Sequence, residues 1–294
     1  METPEPKLPD TNTESNFPLP FESLVVIIMS VLVSYFPLVI VLGATMDPET
    51  AEPDMTLVKV LLAVGEMVLL ALPVFYLLRR KLSLPLNLRL NPVPGNIVWL
   101  SVPVSLCMIV LIDEVDRLVR LVLPLPEEIA SEIGKTMLID NGLDFILVTF
   151  SAVILAAVAE EAIFRGMLQQ SVEKHVDVTK GVIYSSIAWA LVHGNHYMML
   201  QIFLFGFFLG WLAWRTNSII PTLIAHGLNN AIAILYINFS RDNEPFPIYE
   251  WNGHVSPFWL ILAIGGLYYG ITSIDKFYRS ATASPSSDNG SGRS

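Results

Sequence analysis

Ala156-Ala157-Val158-Ala159-Glu160-Glu161-Ala162-Ile163-Phe164-Arg165-Gly166 sets two adjacent carboxylates and an arginine at the end of an apolar run that begins near Phe145. A charged side chain near the centre of a bilayer costs about 2.5–3.5 kcal/mol on insertion scales, so three within a turn and a half need partners or a task. Helix geometry divides them. Glu161 and Arg165 stand four apart with the acid N-terminal, the favourable orientation for a pair on one face. Glu160 is rotated about 100° from its neighbour and points along a different face, where it can stay unpaired. One neutralised carboxylate beside one available carboxylate is what a general base in an apolar site requires. On spacing alone, a salt bridge at a helix end accounts for the same residues.

The surrounding chain has the composition of an integral membrane protein. Its 294 residues are 53% hydrophobic and only 15% charged, with mean hydropathy +0.57; an ordinary soluble domain is roughly 45–50% apolar and 25% charged. The formal net charge of −10 is carried largely by tails and loops. It argues against a nucleic-acid partner, because no basic patch exists to neutralise phosphates. Cys107 is the single cysteine and excludes an internal disulfide. The polar, proline-rich residues 1–20 and the length of the first apolar run do not fit a cleavable signal peptide.

Residues 1–20 and 280–294 are expected to be disordered tails around a transmembrane domain at 21–279. Runs long enough to cross roughly 30 Å of hydrocarbon lie near 24–44, 57–78, 97–112, 145–165, 197–214, 218–239 and 257–274. A shorter run, 182–192, is counted as an eighth span on topological grounds. The expected fold is therefore all-α and polytopic, a bundle of about eight helices. Arg79, Arg80, Lys81 and Arg89 mark the 79–96 connection as cytoplasmic, and Asp47, Glu49, Glu52 and Asp54 suit the opposite side. Alternation from there puts both termini, Lys174, Lys180, Arg215, Lys276 and Arg279 in the cytoplasm. Glu127 to Ile139 reads as a short interfacial helix. Gly206-Phe-Phe-Leu-Gly210 reads as a close helix contact. Glu66, inside the second run, is expected to pair with a basic or hydroxyl group. Asp113, Glu114, Asp116, Arg117 and Arg120 read as a solvated outer helix end, and His254 as solvent-facing.

Two further polar clusters interrupt apolar runs: Trp189-Ala190-Leu191-Val192-His193-Gly194-Asn195-His196, and His226-Gly227-Leu228-Asn229-Asn230. His193 lies one turn past Trp189, where indole and imidazole can pack. His226 and Asn230 project from one face, with Asn229 slightly less well aligned. Acid, imidazole and amide from three helices form a kit for hydrolysis: a carboxylate takes a proton from water, a histidine positions it, and a second histidine and a carboxamide donate to an oxyanion. Zinc held by Glu160, His193 and His226, with His196 as a further donor, is the competing arrangement. However, HExxH is absent, and two histidines at i, i+3 around a glycine are not a strong zinc pattern.

Glu160-Glu161-xxx-Arg165, Trp189-xxx-His193 and His226-xxx-Asn230 come in the order and approximate spacing of the CPBP intramembrane proteases. That family, also called Abi or CAAX-protease and bacteriocin-processing, includes the eukaryotic CAAX prenyl protease of the Rce type. The resemblance covers roughly residues 145–240. It implies an eight-helix bundle with a cavity open to the cytosol, and Glu160 as general base assisted by His193. It also implies His226 and Asn230 as the oxyanion site, with Glu161 and Arg165 shaping the catalytic helix. The second motif usually carries Phe where this chain has Trp189; both are aromatic, so packing should survive. Members have been labelled metallopeptidases, but the spacing here favours a site without metal or other cofactor. The expected activity is that of an intramembrane endopeptidase processing a CAAX-type or otherwise lipidated or membrane-anchored protein or peptide. The expected setting is a bacterial cell membrane, although no feature ties the chain to the bacterial rather than the eukaryotic branch. Two alternatives remain: a catalytically silent bacteriocin-immunity or partner-binding protein of the same fold, and a proton-coupled transporter using Glu160, His193 and His226 as a relay.

Overall fold

Each long apolar run folds into a helix, the only open-chain solution that satisfies every backbone group where water is absent. The computed structural model describes residues 16–46, 53–239 and 248–283, with the backbone alone at 281–283. Most of both expected tails, and Asp47, Glu49 and Glu52, lie outside these residues. In chain order the elements are α1 (Pro20–Thr45), α2 (Met55–Arg79), α3 (Leu84–Asn87), α4 (Gly95–Val122) and α5 (Glu127–Met137). Then follow α6 (Gly142–His175), α7 (Val178–Val192), α8 (Met199–Thr216) and α9 (Ile220–Phe239). A two-stranded hairpin, β1 (Glu250–Trp251) and β2 (His254–Val255), precedes α10 (Pro257–Ala283).

Seven of these helices, α1, α2, α4, α6, α8, α9 and α10, are long and apolar enough to cross a membrane. The protein is an all-α, multi-pass integral membrane protein. The short run expected as an eighth span is a helix of 15 residues; at 1.5 Å per residue it reaches about 22 Å, less than a hydrocarbon core. The outside of the bundle is as apolar as a lipid contact demands: Phe21, Trp99, Leu121, Ile261 and Tyr268 are all largely exposed.

Helix starts follow from short polar side chains that accept from the first free backbone N–H groups. Asp54 Oδ1 accepts from Thr56 N at 2.8 Å, Asn141 Oδ1 from Leu143 N at 2.9 Å, and Asp177 Oδ1 from Lys180 N at 2.8 Å. Asn217, in the left-handed region at φ 48°, ends α8.

The central element is α6, which packs against α1, α2, α7, α8 and α9. Every residue from Glu161 to Val172 is buried, and Ile163, Phe164 and Met167 meet Leu209, Leu212 and Ile219 in the core. Two stretches of α6, Thr149–Leu155 and Glu161–Leu168, are π-helical, a local widening that recurs at functional sites. Nothing in the sequence pattern announced them.

Several charges are engaged, among them Arg89, the end of α4 and His254, which were expected in loops or solvent. Arg89 is buried, ion-paired with Glu173, and its backbone is left-handed at φ 54°. Lys59 and Asp144 form a buried ion pair at 2.9 Å that fastens α2 to the start of α6. The charged end of α4 is clasped by the hairpin rather than solvated. Tyr249 Oη donates to Asp113 Oδ2 at 2.9 Å, Arg117 Nη2 to Glu250 Oε1 at 3.2 Å, and Val255 N to Glu114 Oε2 at 2.8 Å. His254, expected in solvent, lies 2.8 Å from Glu114 through Nδ1. The reason is that tertiary folding sets complementary charges from distant segments side by side, which loop counting cannot foresee.

Candidate active site

The buried half of α6 carries polar residues spaced four apart: Glu161, Arg165, Gln169 and Glu173. They form a ladder along one face, and each rung also reaches a neighbouring segment of the chain. Arg165 Nη1 donates to Glu161 Oε1 at 2.9 Å, with both side chains 0% exposed. Arg165 Nη2 donates to Gly206 O at 3.3 Å, and Gln169 Nε2 donates to Gly210 O at 2.8 Å and to Glu173 Oε1 at 2.7 Å. The two acceptor carbonyls belong to the glycines of the GxxxG in α8, which is therefore the close contact the sequence suggested. A Cβ at Gly206 would fall 2.8 Å from Trp189 Cε3, and one at Gly210 would fall 3.0 Å from Gln169 Oε1. Small residues here admit the ladder's side chains to the backbone of α8.

Glu160 leaves that face, as the helical rotation requires. It is half-buried, while Glu161 beside it is fully buried. Its Oε2 accepts a hydrogen bond from the indole Nε1–H of Trp189, from α7. Trp189, 3% exposed, is the hub of the cluster. His193 stands edge-on to it at 5.0 Å between ring centroids and His226 at 5.4 Å, while the Arg165 guanidinium carbon lies 4.4 Å from the ring centre. The sequence suggested packing between Trp189 and His193 but missed the N–H donated to Glu160. The departure from the usual Phe was the signal, since only the indole carries a donor.

The histidines are oriented by fixed acceptors. His193 Nδ1 lies 2.8 Å from Trp189 O. A carbonyl only accepts, so Nδ1 carries the proton and Nε2 is left available. His226 Nδ1 lies 2.9 Å from Glu161 Oε1, so Glu161 joins the arginine of its own helix to the histidine of α9. Asn230 Nδ2 donates to Ala152 O at 2.8 Å, inside the first π-helical stretch, and its Oδ1 accepts from Asn229 Nδ2 at 3.2 Å. An amide has two N–H bonds, so one remains to donate elsewhere.

The structure thus gathers Glu160, His193 and His226 around Trp189, ties Glu161 and Arg165 beneath them, and anchors Asn230 one turn along α9. His196 is exposed and stacks on Tyr197 at 4.0 Å between centroids, apart from the group. Among the described residues no three or more His, Cys, Asp or Glu side chains are grouped to hold a metal ion. The Nδ1 atoms of His193 and His226 face Trp189 O and Glu161 Oε1, which leaves Nε2 as the open position of each ring.

Residues 142–232 match the family model described as type II CAAX prenyl endopeptidase Rce1-like. That stretch runs from the start of α6 into α9 and contains Glu160, Glu161, Arg165, Trp189, His193, His226 and Asn230. No curated protein and no solved structure matched the chain. The motif order, its convergence on Trp189 and this match agree: over residues 142–232 the chain is similar to the Rce1-like type II CAAX prenyl endopeptidases.

Proposed function

We propose that the protein is an intramembrane endopeptidase that hydrolyses a peptide bond near the cytoplasmic membrane face with water activated by Glu160. The observation that carries this reading is the half-buried Glu160, held by Trp189 Nε1 within a cluster that also holds His193 and His226. Glu160 takes a proton from water, and the hydroxide formed attacks the scissile carbonyl carbon. His193, whose Nε2 is available, orients the water. The oxyanion receives hydrogen bonds from the second N–H of Asn230 and from Nε2–H of His226, which donates there as the imidazolium because its Nδ1–H is held by Glu161. The C–N bond then breaks as the proton returns from Glu160 to the leaving amine, which leaves the carboxylate as it began. Glu161 and Arg165 set the helix and fix His226. No metal takes part.

The family supports a peptide or protein substrate, and we read it as a lipidated or membrane-anchored CAAX-type tail. The test is cleavage of a quenched fluorogenic peptide ending in a prenylated CAAX-type tail by purified protein in detergent. Glu160→Ala and His226→Ala should abolish turnover in protein that remains folded. Unchanged turnover in Glu160→Ala overturns the mechanism. Stoichiometric zinc in the purified protein, with turnover lost on chelation, overturns its metal-free form.

A further inference from the structure

Glu66 lies in mid-helix in α2, within Ala63-Val64-Gly65-Glu66-Met67 and outside the family-matched residues. It is 9% exposed. The Tyr35 hydroxyl, from α1, donates to its Oε1 at 3.4 Å, the hydroxyl partner the sequence allowed for. Its Oε2 is buried and has no hydrogen-bond partner among the described residues. Such an oxygen normally costs stability, so its retention calls for a use. Gly65, the preceding residue, is also buried, and a Cβ there would meet nothing within 4 Å. The location is equally specific. α2 packs against the Ala156–Glu160 segment of α6, and both Tyr35 and Glu66 lie within electrostatic reach of Glu160.

A peptide entering a low-dielectric site brings backbone N–H groups that must find acceptors. Glu160, His193, His226 and Asn230 serve the water and the carbonyl; none of them is left to accept an N–H. We propose that Glu66 Oε2 is the acceptor for a backbone N–H of the peptide bound at the Glu160 site, with Tyr35 holding Oε1. This rests on the peptidase reading above, and it extends the substrate-binding surface to α1 and α2.

Glu66→Gln is the diagnostic variant, because it is nearly isosteric. Tyr35 holds the amide oxygen, so the variant turns an NH2 donor toward the substrate where an acceptor stood. For the prenylated CAAX-type peptide, KM should rise about tenfold while kcat stays within about twofold. Affinity for the same peptide, read by fluorescence anisotropy, should fall about tenfold in Glu160→Gln/Glu66→Gln relative to Glu160→Gln alone. Glu66→Ala should shift both quantities in the same direction. Unchanged KM and affinity in Glu66→Gln, or a loss confined to kcat, overturns the role of Glu66 and leaves the peptidase reading intact. Wild-type protein that binds the peptide without cleaving it overturns the peptidase reading, and the affinity comparison still decides Glu66. Wild-type protein that neither binds nor cleaves it overturns both.

Discussion

Glu160 and Glu161 are adjacent in sequence and opposite in circumstance. Glu161 is fully buried and shared by Arg165 from its own helix and His226 from α9. Glu160 is half-buried and receives the indole N–H of Trp189. The difference is a 100° rotation about one helix axis. On the Glu161 face, α8 offers two glycine carbonyls and room for a polar ladder, so a buried charge is paired and becomes structural. On the Glu160 face, among the described residues, the carboxylate is hydrogen-bonded to the Trp189 indole and to no guanidinium, which suits the proton transfer proposed for it. Pairing separates a carboxylate that holds the fold from one suited to chemistry.

Substitutions on the two faces should therefore fail in different ways. Glu160→Gln removes the proton acceptor and keeps the shape. Cleavage of the fluorogenic peptide should fall by about 10²–10⁴-fold, with the thermal midpoint in detergent unchanged. A large fall in that midpoint would break the contrast. Arg165→Met does the reverse: it leaves Glu161 buried beside His226 without its guanidinium, and should cost about 3–5 kcal/mol of stability in denaturant titration. A stable Arg165→Met protein would show that the ladder is dispensable.

The packing on each side sharpens the comparison further. A Cβ at Gly166 would lie 2.8 Å from Leu88 Cα, a backbone atom that cannot turn aside. Gly166→Ala should therefore destabilise the protein by about 1–3 kcal/mol. Gly65→Ala, where nothing stands within 4 Å, should be neutral or stabilising by up to about 1 kcal/mol from helix propensity. A smaller effect on turnover than that of Glu160→Gln is expected of Trp189→Phe. It keeps an aromatic ring between the histidines but removes the N–H donated to Glu160. Turnover should drop about tenfold or less, the loss of one hydrogen bond, with about 1–2 kcal/mol of stability lost to the space the smaller ring leaves. An unchanged rate would assign the indole N–H no part in positioning Glu160.

The motifs were legible because they depend on local geometry. Glu161 with Arg165, and Trp189 with His193, are four residues apart, and a helix places such pairs together wherever it is put. Glycines four apart in an apolar run likewise signalled the close approach of α8. Partners far apart in sequence were not legible. Lys59 with Asp144, Arg89 with Glu173, and the hairpin with the end of α4 are each brought together by the chain's path. Counting Arg89 as loop charge and the end of α4 as solvated missed their pairing, and nothing local singled out Lys59, Asp144 or Glu173. The π-helical stretches of α6 also escaped, because they express the packing around the helix more than its residue types.

The sequence by itself determined that this is a helical membrane protein and which residues carry its polar business, since hydropathy and the 3.6-residue period are properties of the chain alone. Only the tertiary structure decided what each of those residues faces. It gave Glu161 to Arg165 and His226, and set Trp189 as the ring against which Glu160 and both histidines rest. It also packed α2, which carries Glu66, against the Ala156–Glu160 segment of α6. The physical reason is that a buried charge takes its properties from its neighbours in space, and most of those neighbours are distant in sequence.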